Sequence, residues 1–458
     1  MGDYSRKRFL VVDDQAMARE ALRSIAQTVG AFAVEFASSY QDALYRIRNN
    51  VPDIILSDYM LGDGRSGQQL LEELRRFNML PDECIFMMVT GEQAYEQVVS
   101  AVELVPDDYI IKPFSPDKLV LRLDRITAKK KFFGGFYREK RKQDFAAAIA
   151  FLESRRDSEA GRPYRFEILR QQAETQMASG NPKAAEATYR TILEKYDFPW
   201  ARAGMARSMY RQDRLLEARK EIDQVVASTP HFFDAADLKA NICMAQGEHA
   251  EAQRVLDEVS KRTPRNYLRK RLLAEAATLN GDTETARQAM TDVITNDTMP
   301  GAISPEDRLS LARSHINSSD PISAEKVLLG LRDGEVNGLP LAEQASYTAL
   351  LALCSPERGV SRFIGLRPAM LVSKLTPMAQ FDILRAALSI SDKALADLHT
   401  RHLVGSLEAK KVFSSIRAQY ALYGREQDFR EIQKEVALKR IHDAAAQQEA
   451  TFSTAGQD

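Results

Sequence analysis

The 458-residue chain has little with which to cross-link itself. Its three cysteines, Cys84, Cys243 and Cys354, lie far apart with no C-x-x-C spacing. That pattern excludes a disulfide framework and a cysteine zinc site, and it suits a reducing compartment. Charge of one sign is also missing: 63 Lys and Arg stand against 64 Asp and Glu, a formal net charge of -1. No global field therefore points to nucleic acid or to an acidic membrane. No run approaches the roughly 20 apolar residues of a membrane span. Only four apolar residues separate Arg8 from Asp13 near the N-terminus, too few for a signal-peptide core. The six histidines form no ligand or triad pattern; His399 and His402, three apart on an expected helix, read as solvated. The expectation is a soluble cytoplasmic protein without a membrane span. Its 44% apolar and 28% charged residues are ordinary for a globular chain, with room for roughly two to four domains.

What is present changes character along the chain. Short apolar runs alternate with amphipathic stretches over the first part: RFLVVDD (8–14), FAVEFA (32–37), DIILSD (53–58), CIFMMVT (84–90) and DYIIK (108–112). Continuous apolar strands joined by helices predict an α/β, doubly wound, five-stranded parallel sheet over residues 1–128. Ser115 and Pro116 are cap and first-turn residues for the last helix. A basic strip follows, predicted as a linker over 129–144 and broken by Gly134-Gly135. It carries Lys129, Lys130, Lys131, Arg138, Lys140, Arg141 and Lys142 against Glu139.

Strand signals then stop and a repeat begins. Aligning the segments that start at 180, 213, 247 and 281 brings Ala185, Ala218, Ala252 and Ala286 into register, with spacings of 33, 34 and 34. Ala173, Ala206, Ala240 and Ala274 recur seven residues before each start. Small residues at fixed slots with this period predict stacked helical hairpins over 145–330, an all-α solenoid. Residues 331–450 read as further helices without a clean period, and 451–458 as a polar tail.

Chemistry in a parallel sheet collects at the carboxyl ends of the strands. Here the first strand ends in Asp13-Asp14, the third in Asp58, the fourth in Thr90 and the fifth in Lys112. Three carboxylates at one edge repel one another unless a cation joins them, and oxygen-only ligands suit Mg²⁺. A lysine and a hydroxyl beside them are placed to hold phosphoryl oxygens.

This set closely resembles the receiver domain of two-component response regulators, and the 34-residue unit resembles tetratricopeptide repeats. The first resemblance implies that Asp58 accepts a phosphoryl group from a sensor histidine kinase or a phosphotransfer protein. It implies that Mg²⁺ is held by Asp14, Asp58 and the Met60 carbonyl, with Asp13 acting largely through water. Lys112 would pair with the phosphoryl oxygens, Thr90 would move to bond one of them, and Tyr109 would be the aromatic switch. A cis Lys112–Pro113 bond is usual in the family. One departure is that Gly62 stands where proline is common and the turn glycine comes one residue late, which predicts a looser loop. Met60 and Glu92 would flank the path of an attacking water.

The expected function is a response regulator, not an enzyme beyond slow auto-dephosphorylation, whose helical half binds a protein or peptide. A phosphorylation-dependent homodimer fits the same reading. The rival is a nucleic-acid-associated regulator using residues 128–142, disfavoured by the near-zero net charge.

Overall fold

The structure, a computed structural model, describes residues 4–62, 66–76, 78–91, 106–264, 266–296, 303–331, 333–373, 375–405 and 413–439. The chain divides into two compact units, Met1–Ala235 and Ala236–Asp458. The division falls inside the helical region, not at the basic strip.

In the first unit, β1 (Arg8–Val12), β2 (Ala33–Ala37), β3 (Ile54–Asp58), β4 (Ile85–Thr90) and β5 (Asp108–Ile111) form one parallel sheet in the order β2-β1-β3-β4-β5. The apolar runs are buried because helices cover them: Phe9, Val11, Leu56, Met87, Val89 and Ile110 lie in one core. Helices α1 (Ala16–Thr28), α2 (Tyr40–Asn49) and α3 (Gly67–Arg76) flank the strands.

The basic strip is not a separate linker. Helix α4 runs unbroken over Pro116–Arg141, with the Ser115 side chain capping the Lys118 N–H. The Gly134-Gly135 break expected from sequence is absent, and one glycine of the pair serves packing. A Cβ on Gly135 would overlap the Phe151 ring, whereas one on Gly134 would meet nothing. Phe133, Phe136 and Tyr137 of α4 form a core with Ala148, Leu152 and Ile168. These last three come from α5 (Phe145–Arg156) and α6 (Arg165–Ala178). The charges of the strip are also used. Lys130 is buried, and its ammonium donates to the carbonyls of Asp82 (2.7 Å) and Cys84 (2.9 Å) and pairs with Asp107 (2.8 Å). Lys140 pairs with Asp82, Arg141 with Glu83 and Lys129 with Glu167. The unit continues through α7 (Pro182–Leu193), α8 (Pro199–Arg211) and α9 (Leu215–Ser228).

Helices α10 (Phe233–Gln246), α11 (His249–Arg262), α12 (Tyr267–Asn280), α13 (Thr283–Asn296), α14 (Pro305–Asn317) and α15 (Pro321–Leu329) lead into the second unit. They are followed by α16 (Asp333–Asn337), α17 (Leu341–Cys354), α18 (Pro356–Val372), α19 (Pro377–Ser389), α20 (Lys393–Gly405) and α21 (Phe413–Leu422). Arginine–aspartate pairs tie non-adjacent helices of this unit. Arg269 holds both oxygens of Asp237 at 2.8 Å, Arg271 holds Asp307, and the buried Arg313 holds both oxygens of the buried Asp382.

Among the described residues, every regular element after the sheet is thus helical. The eight register alanines, Ala173, Ala185, Ala206, Ala218, Ala240, Ala252, Ala274 and Ala286, are all buried. Each repeat start adopts a left-handed backbone: Gly180, Asp213, Gly247 and Gly281 have φ of 78°, 63°, 81° and 80°. Gln143, Ser319, Ser391 and Gly424 do the same. His399 is not solvated as the sequence suggested. It is 1% exposed on α20, while His402 faces solvent.

Candidate functional site

The carboxyl edge of the sheet gathers the acidic residues. Asp13 follows β1 directly and its N–H still bonds the carbonyl of Ala37 (3.1 Å), so the sheet fixes its position. Its buried carboxylate is fully engaged: Oδ1 accepts the Gln15 N–H (2.9 Å) and Oδ2 accepts from Lys112 Nζ (2.7 Å). Asp14 is exposed beside it. Asp58 ends β3, with Oδ1 accepting the Tyr59 N–H (2.8 Å) and Oδ2 lying 3.4 Å from Lys112 Nζ. Ligand oxygens of Asp13, Asp14 and Asp58 all lie within 4.8 Å of one another.

Burial pushes the Asp58 carboxyl above its ordinary range; the Lys112 ammonium opposes this, and the Asp13 charge adds to it. Three carboxylates against one ammonium leave two negative charges in excess. An all-oxygen, doubly negative pocket of this size fits a hard divalent cation such as Mg²⁺.

Lys112 reaches this pocket because β5 ends there. Its N–H bonds the Thr90 carbonyl (2.8 Å), and the Lys112–Pro113 peptide is cis. Thr90 is buried at the end of β4, and its hydroxyl donates to the Gly91 carbonyl (3.2 Å). Tyr109 is half-buried on β5, in register with Met88.

The loop departure has a structural reason. Gly62 has φ of 67°, which proline, locked near -65°, cannot adopt. A Cβ at Gly62 would stand 3.1 Å from Asp14 Oδ2. The late turn glycine, Gly67, is also required, since a Cβ there would overlap the Asp58 carbonyl. Met60 forms a bridge with Ser66 and leaves its side chain 56% exposed. Glu92 lies outside the described residues.

Sequence reasoning missed Arg19. Its guanidinium bonds the carbonyls of both Asp13 and Asp14. The available signal was a basic residue one turn into α1, five positions after the acid pair.

The family description "Response regulator receiver domain" matches residues 9–124. Residues 9–124 are a response regulator receiver domain. The receiver is 38% identical over 120 residues to the phosphate regulon transcriptional regulatory protein PhoB of Escherichia coli, covering 26% of this chain and 51% of PhoB. The chain therefore spans about half the length of that relative. The response regulator MprA of a Mycobacterium strain is 26% identical over 246 residues, covering 49% of this chain and 98% of MprA. Among solved structures, the chemotaxis response regulator CheY4 of Vibrio cholerae is similar at 24% identity and a TM-score of 0.24, covering 26% of this chain and 98% of CheY4. Among the described residues no helix is long and apolar enough to cross a membrane.

Proposed function

We propose that the chain is a cytoplasmic response regulator of a two-component phosphorelay. It accepts a phosphoryl group on Asp58 from a histidine kinase or phosphotransfer protein and uses its helical region, a tetratricopeptide-like array, to control protein–protein interactions. The observation that carries this reading is the convergence of Asp13, Asp14 and Asp58 on one ammonium, Lys112.

Asp58 Oδ2 is the nucleophile. It bonds to phosphorus as the bond from phosphorus to the donor nitrogen breaks, and the imidazole leaves with its electron pair. The Lys112 ammonium, already 3.4 Å from Asp58 Oδ2, steadies the phosphoryl oxygens by charge-assisted hydrogen bonds. Thr90 turns its hydroxyl from the Gly91 carbonyl to the new group, and Tyr109 follows into the space vacated. Asp14, Asp58 and the Met60 carbonyl would hold Mg²⁺, with Asp13 reaching it through water. Bound there, such an ion would supply positive charge to offset the phosphoryl oxygens. No turnover is expected beyond slow loss of the phosphoryl group.

Support for the output comes from the left-handed turns and buried alanines, the features that let helix pairs stack into concave binding surfaces. The second reading, nucleic-acid binding through residues 128–142, has in its favour that PhoB is a transcriptional regulatory protein. Against it, Lys130 is buried, and Lys129, Arg138, Lys140, Arg141 and Lys142 all face acidic partners. Affinity capture with the wild type and Asp58→Asn, each with and without acetyl phosphate and Mg²⁺, tests the output. Proteins whose retention depends on the phosphoryl donor only in the wild type support it. Specific retention of duplex DNA at physiological salt supports the rival.

A further inference from the structure

We propose that Arg19 is a positioning residue for the acidic pocket: by holding the backbone carbonyls of Asp13 and Asp14, it aims the Asp14 carboxylate and so sets the affinity for a divalent cation. The inference rests on the reading that this pocket takes Mg²⁺.

The need for such a residue follows from how the three carboxylates are held. Asp13 is fixed by the Gln15 N–H and by Lys112, and Asp58 by the Tyr59 N–H and by Lys112. Among the described residues the Asp14 carboxylate has no hydrogen bond or ion pair, so only its backbone can aim it. That backbone is poorly secured by the helix it leads into, because the N-cap of α1, Gln15, makes no side-chain cap.

Arg19 supplies the constraint. Its Nη1 donates to the Asp13 carbonyl at 2.7 Å and to the Asp14 carbonyl at 3.1 Å. These two carbonyls belong to the peptide planes on either side of the Asp14 Cα. With both planes held, φ and ψ of Asp14 are bracketed and the direction of its Cβ is set. The Gly62 loop, whose Cβ position falls 3.1 Å from Asp14 Oδ2, bounds the carboxylate on its other side. Arg19 thereby does for a carboxylate ligand what outer-shell partners do for metal ligands generally.

Charge and geometry make opposite forecasts here. The guanidinium is a cation, and its field alone would repel Mg²⁺. Removing it would then tighten binding, most strongly at low salt, where screening is weak. Positioning predicts the reverse at every salt concentration.

The test is calorimetric titration of the full chain with Mg²⁺, at low and at high salt, for the wild type, Arg19→Met and Arg19→Lys. Urea midpoints of the metal-free proteins confirm folding. We expect Arg19→Met to bind about tenfold more weakly at both salts, with Arg19→Lys between it and the wild type. Equal or tighter binding by Arg19→Met overturns the inference. Should Arg19→Met fail to fold, Arg19→Lys decides, since the charge is kept: reduced affinity supports positioning and wild-type affinity overturns it. A wild type that binds Mg²⁺ but takes no phosphoryl group from acetyl phosphate sinks the proposed function and leaves this inference standing. A wild type that binds no Mg²⁺ overturns both.

Discussion

The Lys130 ammonium lies 2.8 Å from Asp107 Oδ1, while the other oxygen of Asp107 accepts the Phe86 N–H at 2.9 Å. The long helix α4 is thereby fastened to the starts of β4 and β5, and Asp108 adds pairs to Arg122 and Arg125 of the same helix. Replacing Lys130 by Met leaves a largely buried carboxylate and two carbonyls without their cation. The expected cost is about 3 kcal/mol, read as a lowered urea midpoint. An unchanged midpoint would mean that the buried contact contributes nothing to holding α4 in place.

The two adjacent glycines of α4 should respond in opposite directions. Gly135→Ala places a methyl in the Phe151 ring and should cost about 1–3 kcal/mol through overpacking. Gly134→Ala meets nothing and should stabilise by about 0.8 kcal/mol through helix propensity. Thermal melts of the two variants check this, and the same sign in both would remove the case for a packed joint at Phe151.

Gly134-Gly135 shows where the sequence could not be read. A glycine pair marks a break by propensity, and only the position of Phe151, sixteen residues on from Gly135, turns one of them into a packing requirement. The five strands, by contrast, were legible within one or two residues, because continuous apolar runs bounded by turn residues have few alternatives. So was the placement of Asp13, Asp14, Asp58, Thr90 and Lys112 at the carboxyl ends of the strands, because each follows or closes an apolar run. Arg19 was overlooked because it bonds backbone carbonyls, and a basic residue one turn into a helix does not by itself announce that contact. The lost period after residue 330 has a cause in the turn spacing. Among the described residues the left-handed turns after 330 fall at Ser391 and Gly424, and the 72 residues from Ser319 to Ser391 do not keep the 34-residue spacing. His399 was misread because a polar residue on a helix gives no sign of which face it occupies.

That histidine predicts a pH dependence. Burial, aided by the His402 charge, lowers the His399 pKa to about 4. A depressed pKa means that the folded state favours the neutral ring. The stability it contributes is present above the ordinary value of 6.5 and is lost as pH falls toward about 4. The full effect is about 3 kcal/mol. His399→Leu should flatten the stability profile between those limits, and a profile identical to the wild type's would contradict the assignment.

Asp58 carries the opposite sign. Its carboxyl is pushed above the ordinary value of 3.8 by burial, so its stabilising share is present below that value and is lost as pH rises through the raised one. The fold therefore disfavours the ionised group in the metal-free pocket. Asp58→Asn should raise the melting temperature without Mg²⁺ and respond less to added Mg²⁺ than the wild type does. A variant that melts lower in the absence of metal would count against an unrelieved charge at this site.

The most direct test of the whole account is phosphoryl transfer itself. The full-length protein is incubated with acetyl phosphate, with and without Mg²⁺, and the modified residue is located by mass spectrometry after borohydride trapping of the acyl phosphate. The account predicts modification at Asp58 only, dependent on Mg²⁺, strongly reduced in Lys112→Ala and absent in Asp58→Asn. An acyl phosphate formed equally well in Asp58→Asn, or formed without a divalent cation, would contradict it.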